Sequence, residues 1–229
     1  MSCTSASPHF VNVNGVPRTA EGKVFHLELR DGDAAANVIT VGSESRARIL
    51  ASLLDDDSVL NGATIPFRSQ RGFVTYTGTF NNVPVSIVMI NMGYPNMDFF
   101  VRELREVTQG PLRIIRLGSC AGLRSDLPVG TVAVASEGST FVRQNPDSWA
   151  MPFGKAPNGQ GSASAVTESG EGSAGSLAEP YAFHDVVPAD KELTGELLKE
   201  LNGVLGGPGG IGVVGCLNAS ADSFYSSQG

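Results

Sequence analysis

The chain has 229 residues, 41% hydrophobic and 17% charged, with a net charge of −7 and an isoelectric point near 4.9. That length can bury a sizeable core in one or two domains. The acidic balance excludes a general nucleic-acid or anionic-membrane surface, and no apolar run reaches the ~18 residues of a membrane-spanning helix. The N-terminal stretch lacks the basic and apolar segments of a secretory signal, so a cytoplasmic location is expected. The three cysteines, Cys3, Cys120 and Cys216, are far apart with no CxxC pair. A disulfide framework and a zinc site are therefore not expected, and a reducing compartment fits.

Residues 1–22 are polar and read as a loose arm. Asn37–Val41 reads as a short strand, and Gly42 turns the chain into a helix with Ser43 at its N-cap. Ile49, Leu50, Leu53 and Leu54 are its expected apolar face. Two runs, 73–80 and 83–92, flank Asn81-Asn82 and read as a hairpin. Pro95 opens a helix whose apolar positions are Met97, Phe100, Val101, Leu104 and Val107, with Gly110-Pro111 beyond its end. Strands are expected at 113–117 and 131–135. Residues 138–185 differ in composition, and 158–179 are so rich in Gly, Ser, Ala and Glu that a flexible inserted loop is expected. A helix carrying Leu193, Leu197, Leu198 and Leu201 follows, then a strand over 211–217 and a polar stretch with Phe224-Tyr225. Alternating strands and helices imply an α/β class with a mixed sheet and one hairpin.

The segment 113–136 carries the sharpest chemical signal. Arg116 sits inside an apolar run, two residues before the small-residue turn Gly118-Ser119-Cys120-Ala121-Gly122. A guanidinium in a buried-type strand, followed by free N–H groups and a hydroxyl, suits a phosphate or carboxylate. Cys120 reads as a nucleophile or as a small buried residue, the second being favoured. Taken alone, Arg46 reads as a solvated helix residue, Arg71 as a hairpin-edge charge and His26 as a structural histidine.

Four segments in order resemble the nucleoside phosphorylase superfamily, in particular its uridine phosphorylase branch. They are Val24-Phe25-His26-Leu27 with Val41-Gly42 and Arg46; Asn91 to Pro95; Arg116 to Gly122 with Pro128-Val129-Gly130; and Ser220 to Tyr225 with Gln228. The resemblance implies a three-layer fold, a central mixed sheet flanked by helices, as a single domain over 1–229 with a flexible insertion around 138–185. It implies reversible phosphorolysis of uridine to uracil and ribose 1-phosphate, with inorganic phosphate as co-substrate and no organic cofactor; an interface cation is left open and is not an expectation. Gly42, Arg46, Arg71, Arg116, Gly118 and Ser119 correspond to the phosphate site, with Arg116 and Ser119 at the reaction centre. His26 and Ser119 correspond to ribose contacts, and Phe224 and Gln228 to the base pocket. Arg71 and His26 correspond to residues lent by a neighbouring subunit, which implies a homodimer or a higher homo-oligomer. An amide such as Gln228 complements the imide edge of uracil, although a loop glutamine is the equal alternative from the residues alone.

The chain also departs from the family pattern. Glu44 stands near the phosphate loop, Gly72 replaces a glutamate that serves an interface cation, and the family continues past Gln228. The C-terminal part is therefore expected to be missing. A purine nucleoside phosphorylase and a non-catalytic nucleoside- or phosphate-binding protein are the alternatives. A nucleosidase using water would have no use for Arg46, Arg71 and Arg116.

Overall fold

In the computed structural model, residues 15–55, 66–145, 180–207 and 209–225 are described. The chain divides into two compact units, Met1–Ala121 and Gly122–Gly229.

The first unit is built on a five-stranded mixed sheet. Its strands are β1 (Asn37–Val41), β2 (Phe67–Arg68), β3 (Val74–Phe80), β4 (Val83–Met89) and β5 (Arg113–Leu117), in the order β2-β3-β4-β1-β5. β1 pairs in parallel with β4 and β5, while β3 and β4 form the antiparallel hairpin expected from the sequence. Asn81 and Asn82 both adopt left-handed backbone (φ 49° and 63°), the pair of conformations a two-residue hairpin loop demands. Asp55 accepts hydrogen bonds from both of their N–H groups, at 3.0 and 2.9 Å.

Alternate residues of each strand feed opposite faces of the sheet. Ile39, Val41, Val74, Tyr76, Ile87 and Met89 pack with α1 (Glu44–Ala51), while Val38, Phe73, Val88 and Ile90 pack with α2 (Tyr94–Val107). Helix, sheet and helix thus form three layers. The α2 face is the expected one: Phe100, Leu104 and Val107 are buried, with Met97 and Val101 against the same core. The α1 face differs from the expectation. Ala47 and Ala51 are buried, whereas Ile49 is 67% and Leu53 59% exposed. Only Leu50 and Leu54 of the four expected positions reach the core. Small alanines let the helix lie close to the sheet, which turns the longer side chains at 49 and 53 outward. Ser43 is at the N-cap but makes no side-chain cap bond; its hydroxyl lies 3.2 Å from that of Ser45.

The second unit holds β6 (Val132–Val134), paired in parallel with β9 (Val213–Gly215), and a three-stranded sheet of β10 (Asn218–Ala221), β7 (Ser139–Gln144) and β8 (Tyr181–Phe183). β7, β8 and β10 were not expected as strands: the first two lie at the ends of the 138–185 stretch and the third in the polar tail. Helix α3 (Lys191–Leu205) packs against β6 and β9, with Asp190 capping it by accepting from the Leu193 N–H at 2.8 Å. Its half-buried stripe of Leu193, Leu197, Leu198 and Leu201 is the expected one. Among the described residues, no helix is long and apolar enough to cross a membrane.

Candidate active site

The parallel strands of the first unit end at one corner. Gly42 follows β1, Asn91 lies just beyond β4, and Gly118-Ser119 follows β5. The carboxyl edge of parallel strands is where α/β sheets bind ligands, because strand and helix ends leave free polar groups there.

Two guanidiniums converge on this corner. A β-carbon placed on Gly42 would lie 3.3 Å from Arg116 Nη2, 3.5 Å from the Asn91 carbonyl oxygen and 3.9 Å from Arg46 Nη1. Glycine is needed here to keep the backbone open to whatever the arginines hold. Arg46 Nη2 donates to Ser119 Oγ at 3.1 Å, and Arg116 Nη2 donates to the Asn91 carbonyl at 3.2 Å. Neither arginine forms an ion pair among the described residues. The Arg116 pKa is lowered, first by desolvation and then by the Arg46 charge. Two like charges held this close without a carboxylate repel each other, and an anion between them removes that repulsion. Arg116 differs from the sequence reading in one respect. β5 is the edge strand and Arg116 is exposed, so it is not a guanidinium trapped in a buried strand.

Glu44 is turned away from this corner. Its carboxylate accepts from Arg68 Nη1 at 2.8 Å and from Arg48 Nη2 at 3.1 Å, and Arg68 Nη2 bonds the same group. These hydrogen bonds hold its pKa at about 2, so it stays ionised with its charge already matched. The acidic residue beside the Gly42 turn is thus neutralised by neighbours that are not part of the corner. Arg68 gave no signal in the sequence, because the pairing joins α1 to β2.

His26 and Arg71 form a second group. His26 is at the tip of a loop closed by the Val24 N–H to Leu29 carbonyl bond, with Val24, Leu27 and Leu29 buried as anchors. Its Nδ1 lies 2.6 Å from Glu103 Oε1, and its ring stacks on Phe99 at 3.8 Å between centroids. Arg71 lies over the Phe25 ring at 5.2 Å, and Phe25 meets His26 edge-on at 5.2 Å. Asn91 reaches toward this turn, its Nδ2 donating to the Gly72 carbonyl at 3.4 Å. Gly42, Arg46, Arg116 and Ser119 are therefore brought together, while His26 and Arg71 are engaged elsewhere. Asn91 and Glu103 are the participants that sequence reasoning missed. A carboxylate among the buried positions of α2 was the available signal for Glu103.

Gly118 lies in the turn after β5, with open space around its α-carbon. Cys120, favoured as a small buried residue, is exposed. In the second unit, Phe224 follows β10, is 63% exposed and meets Tyr225 edge-on at 5.1 Å. Gln228 lies outside the described residues.

The sequence pattern of the phosphorylase superfamily matches residues 37–229. Among curated relatives, DeoD-type purine nucleoside phosphorylases of Listeria welshimeri and Colwellia psychrerythraea are 30% identical over 125 residues and 31% over 121. These alignments cover 55% and 52% of this chain, and 51% and 48% of those proteins, so it spans about half the length of the curated relatives it matches. One solved structure, from a study of uridine phosphorylases in the oomycete Phytophthora capsici, is 38% identical with a TM-score of 0.76. It covers 96% of this chain and 70% of its own. A Trypanosoma brucei nucleoside phosphorylase with uridine phosphorylase activity shares the fold at 19% identity and a TM-score of 0.65, over 93% of this chain and 71% of its own. From the match over 37–229, which the strand-end corner at Gly42 and Gly118 falls within, the chain belongs to the phosphorylase superfamily.

Proposed function

We propose that the protein catalyses reversible phosphorolysis of a nucleoside, with uridine as the preferred substrate. The observation that carries this reading is the pair Arg46 and Arg116, facing Gly42 with no counter-carboxylate among the described residues while Glu44 is occupied by Arg68 and Arg48. Inorganic phosphate fits between the two forks, with the Ser119 hydroxyl as a further ligand. A phosphate oxygen attacks C1′ as the glycosidic bond breaks and its electron pair leaves with the base. The proton of the phosphate monoanion or dianion ends on the departing base nitrogen, giving uracil and ribose 1-phosphate. Holding the nucleophile in place and meeting its charge are the two contributions asked of the arginines. Phe224 and Gln228 are assigned to the base. His26 and Arg71 are assigned to a neighbouring copy's ribose and phosphate, which makes the working form a homodimer or larger. No organic cofactor enters the scheme, and the role assigned is cytoplasmic nucleoside salvage.

The likeness to the oomycete uridine phosphorylase study, at 38% identity, supports uridine. The DeoD-type relatives support a purine nucleoside instead. Parallel assays of the full-length protein on uridine and inosine decide between them. Faster cleavage of uridine is expected. Cleavage of inosine alone would assign a purine substrate, and binding of either without turnover would make the protein a nucleoside-binding member of the family.

A further inference from the structure

Glu103 is the only charged side chain among the buried described residues, at 2% exposure. A buried carboxylate must be compensated, and all of its hydrogen-bond donors come from one loop. The His26 N–H contacts both oxygens at 2.9 Å, the Leu27 N–H contacts Oε2 at 2.7 Å, and His26 Nδ1 contacts Oε1 at 2.6 Å. Phe99, one helical turn before Glu103 on α2, lies flat under the same imidazole with an interplanar angle of 11°. Phe25 closes on it edge-on. Satisfying the loop backbone would need only the main-chain contacts. The third contact and the flat stack fix the ring itself. Nε2 is then the remaining polar atom of the ring, and His26 lines a cleft together with Val16, Asp98, Phe99 and Arg102.

We infer that Glu103 is a positioning residue: by accepting from Nδ1 it holds neutral His26 in the Nδ1–H tautomer, so that Nε2 presents a lone pair to a substrate hydroxyl. The inference rests on the nucleoside reading in one respect, that this hydroxyl is the ribose 5′-hydroxyl. Two backbone N–H groups already donate to Glu103, so the shared proton is assigned to Nδ1, and the other nitrogen becomes the acceptor. In Glu103→Gln the amide oxygen still serves the loop N–H groups, but its NH2 faces Nδ1 and favours the opposite tautomer. His26 Nε2 then carries a hydrogen and can no longer accept.

The direct test is the 15N imidazole spectrum of the wild-type protein, at a pH where the ring is neutral. His26 is assigned among the three histidines by comparison with His26→Gln. A protonated Nδ1 and an unprotonated Nε2 are expected, exchanging roles in Glu103→Gln. In kinetics, Glu103→Gln lowers kcat/KM for uridine by about tenfold, while 5′-deoxyuridine, which lacks the hydroxyl, loses far less. An Nε2–H tautomer in the wild type would overturn the inference, and that measurement stands even if the variant fails to fold. Equal losses on both nucleosides would reduce Glu103 to a structural role. Absence of turnover on uridine and inosine alike would overturn the ribose assignment and the proposed function, while the spectrum would still decide what Glu103 does to His26.

Discussion

Arg46 and Ser119 are 73 residues apart in sequence, yet Arg46 Nη2 donates to Ser119 Oγ at 3.1 Å. The bond joins the first turn of α1 to the turn after β5. It holds the Ser119 hydroxyl against the guanidinium that flanks Gly42. Ser119→Ala removes the hydroxyl and frees the Arg46 fork. The KM for phosphate is expected to rise about 3- to 10-fold with kcat less affected, the size of one net hydrogen bond. Initial rates over a phosphate series measure this.

Gly42→Ala places a methyl group 3.3 Å from Arg116 Nη2. A flexible side-chain end can move away, so the thermal midpoint should change little. The displaced guanidinium no longer meets the anion, and kcat/KM for phosphate should fall about 10- to 100-fold. Steady-state kinetics and a thermal melt on the same preparation separate the two effects.

Glu44 sets an acid dependence. Its folded pKa is depressed from 4.5 to about 2 by the Arg68 and Arg48 hydrogen bonds. A depressed carboxylate adds stability that is fully present above the unfolded value and is lost as pH falls through the folded one. The stability difference between wild type and Glu44→Gln should be constant from neutral pH to about 5, then shrink as pH approaches about 2. The Glu44 side chain is half-buried but still reaches solvent, so the effect is screened and should diminish with added salt. Urea denaturation across this pH range measures it.

The packing of α2 and of the turn after α1 gives a contrast in stability. Leu104 is fully buried beside Phe100 and Val107, and Leu104→Ala should cost about 2–5 kcal/mol. Leu53 is 59% exposed, and Leu53→Ala should change stability by less than about 0.5 kcal/mol. Denaturant midpoints at equal m-value check both.

Local chemistry made much of this legible in advance. The Asn81-Asn82 hairpin, the Phe100–Leu104–Val107 face and the glycine turns at 42 and 118 each depend on a few adjacent residues. The errors came where distant partners decide. The apolar stripe of α1 was misplaced because Ala47 and Ala51, not the larger residues, set how closely the helix meets the sheet. β10 pairs with β7 across most of the second unit, so its polar sequence carried no strand periodicity. Arg116 looked buried because the sequence does not reveal that β5 is an edge strand. Glu103 was hidden for the same reason: its donors come from a loop 77 residues away.

The central claim is that Arg46 and Arg116 hold a phosphate that attacks the nucleoside. Uracil release from uridine by the full-length protein, with and without phosphate, tests it most directly when run beside Arg116→Ala. The account predicts release only with phosphate, with ribose 1-phosphate as co-product, and a loss of about 100-fold or more in the variant. Release at the same rate without phosphate, or an unimpaired Arg116→Ala, would contradict it.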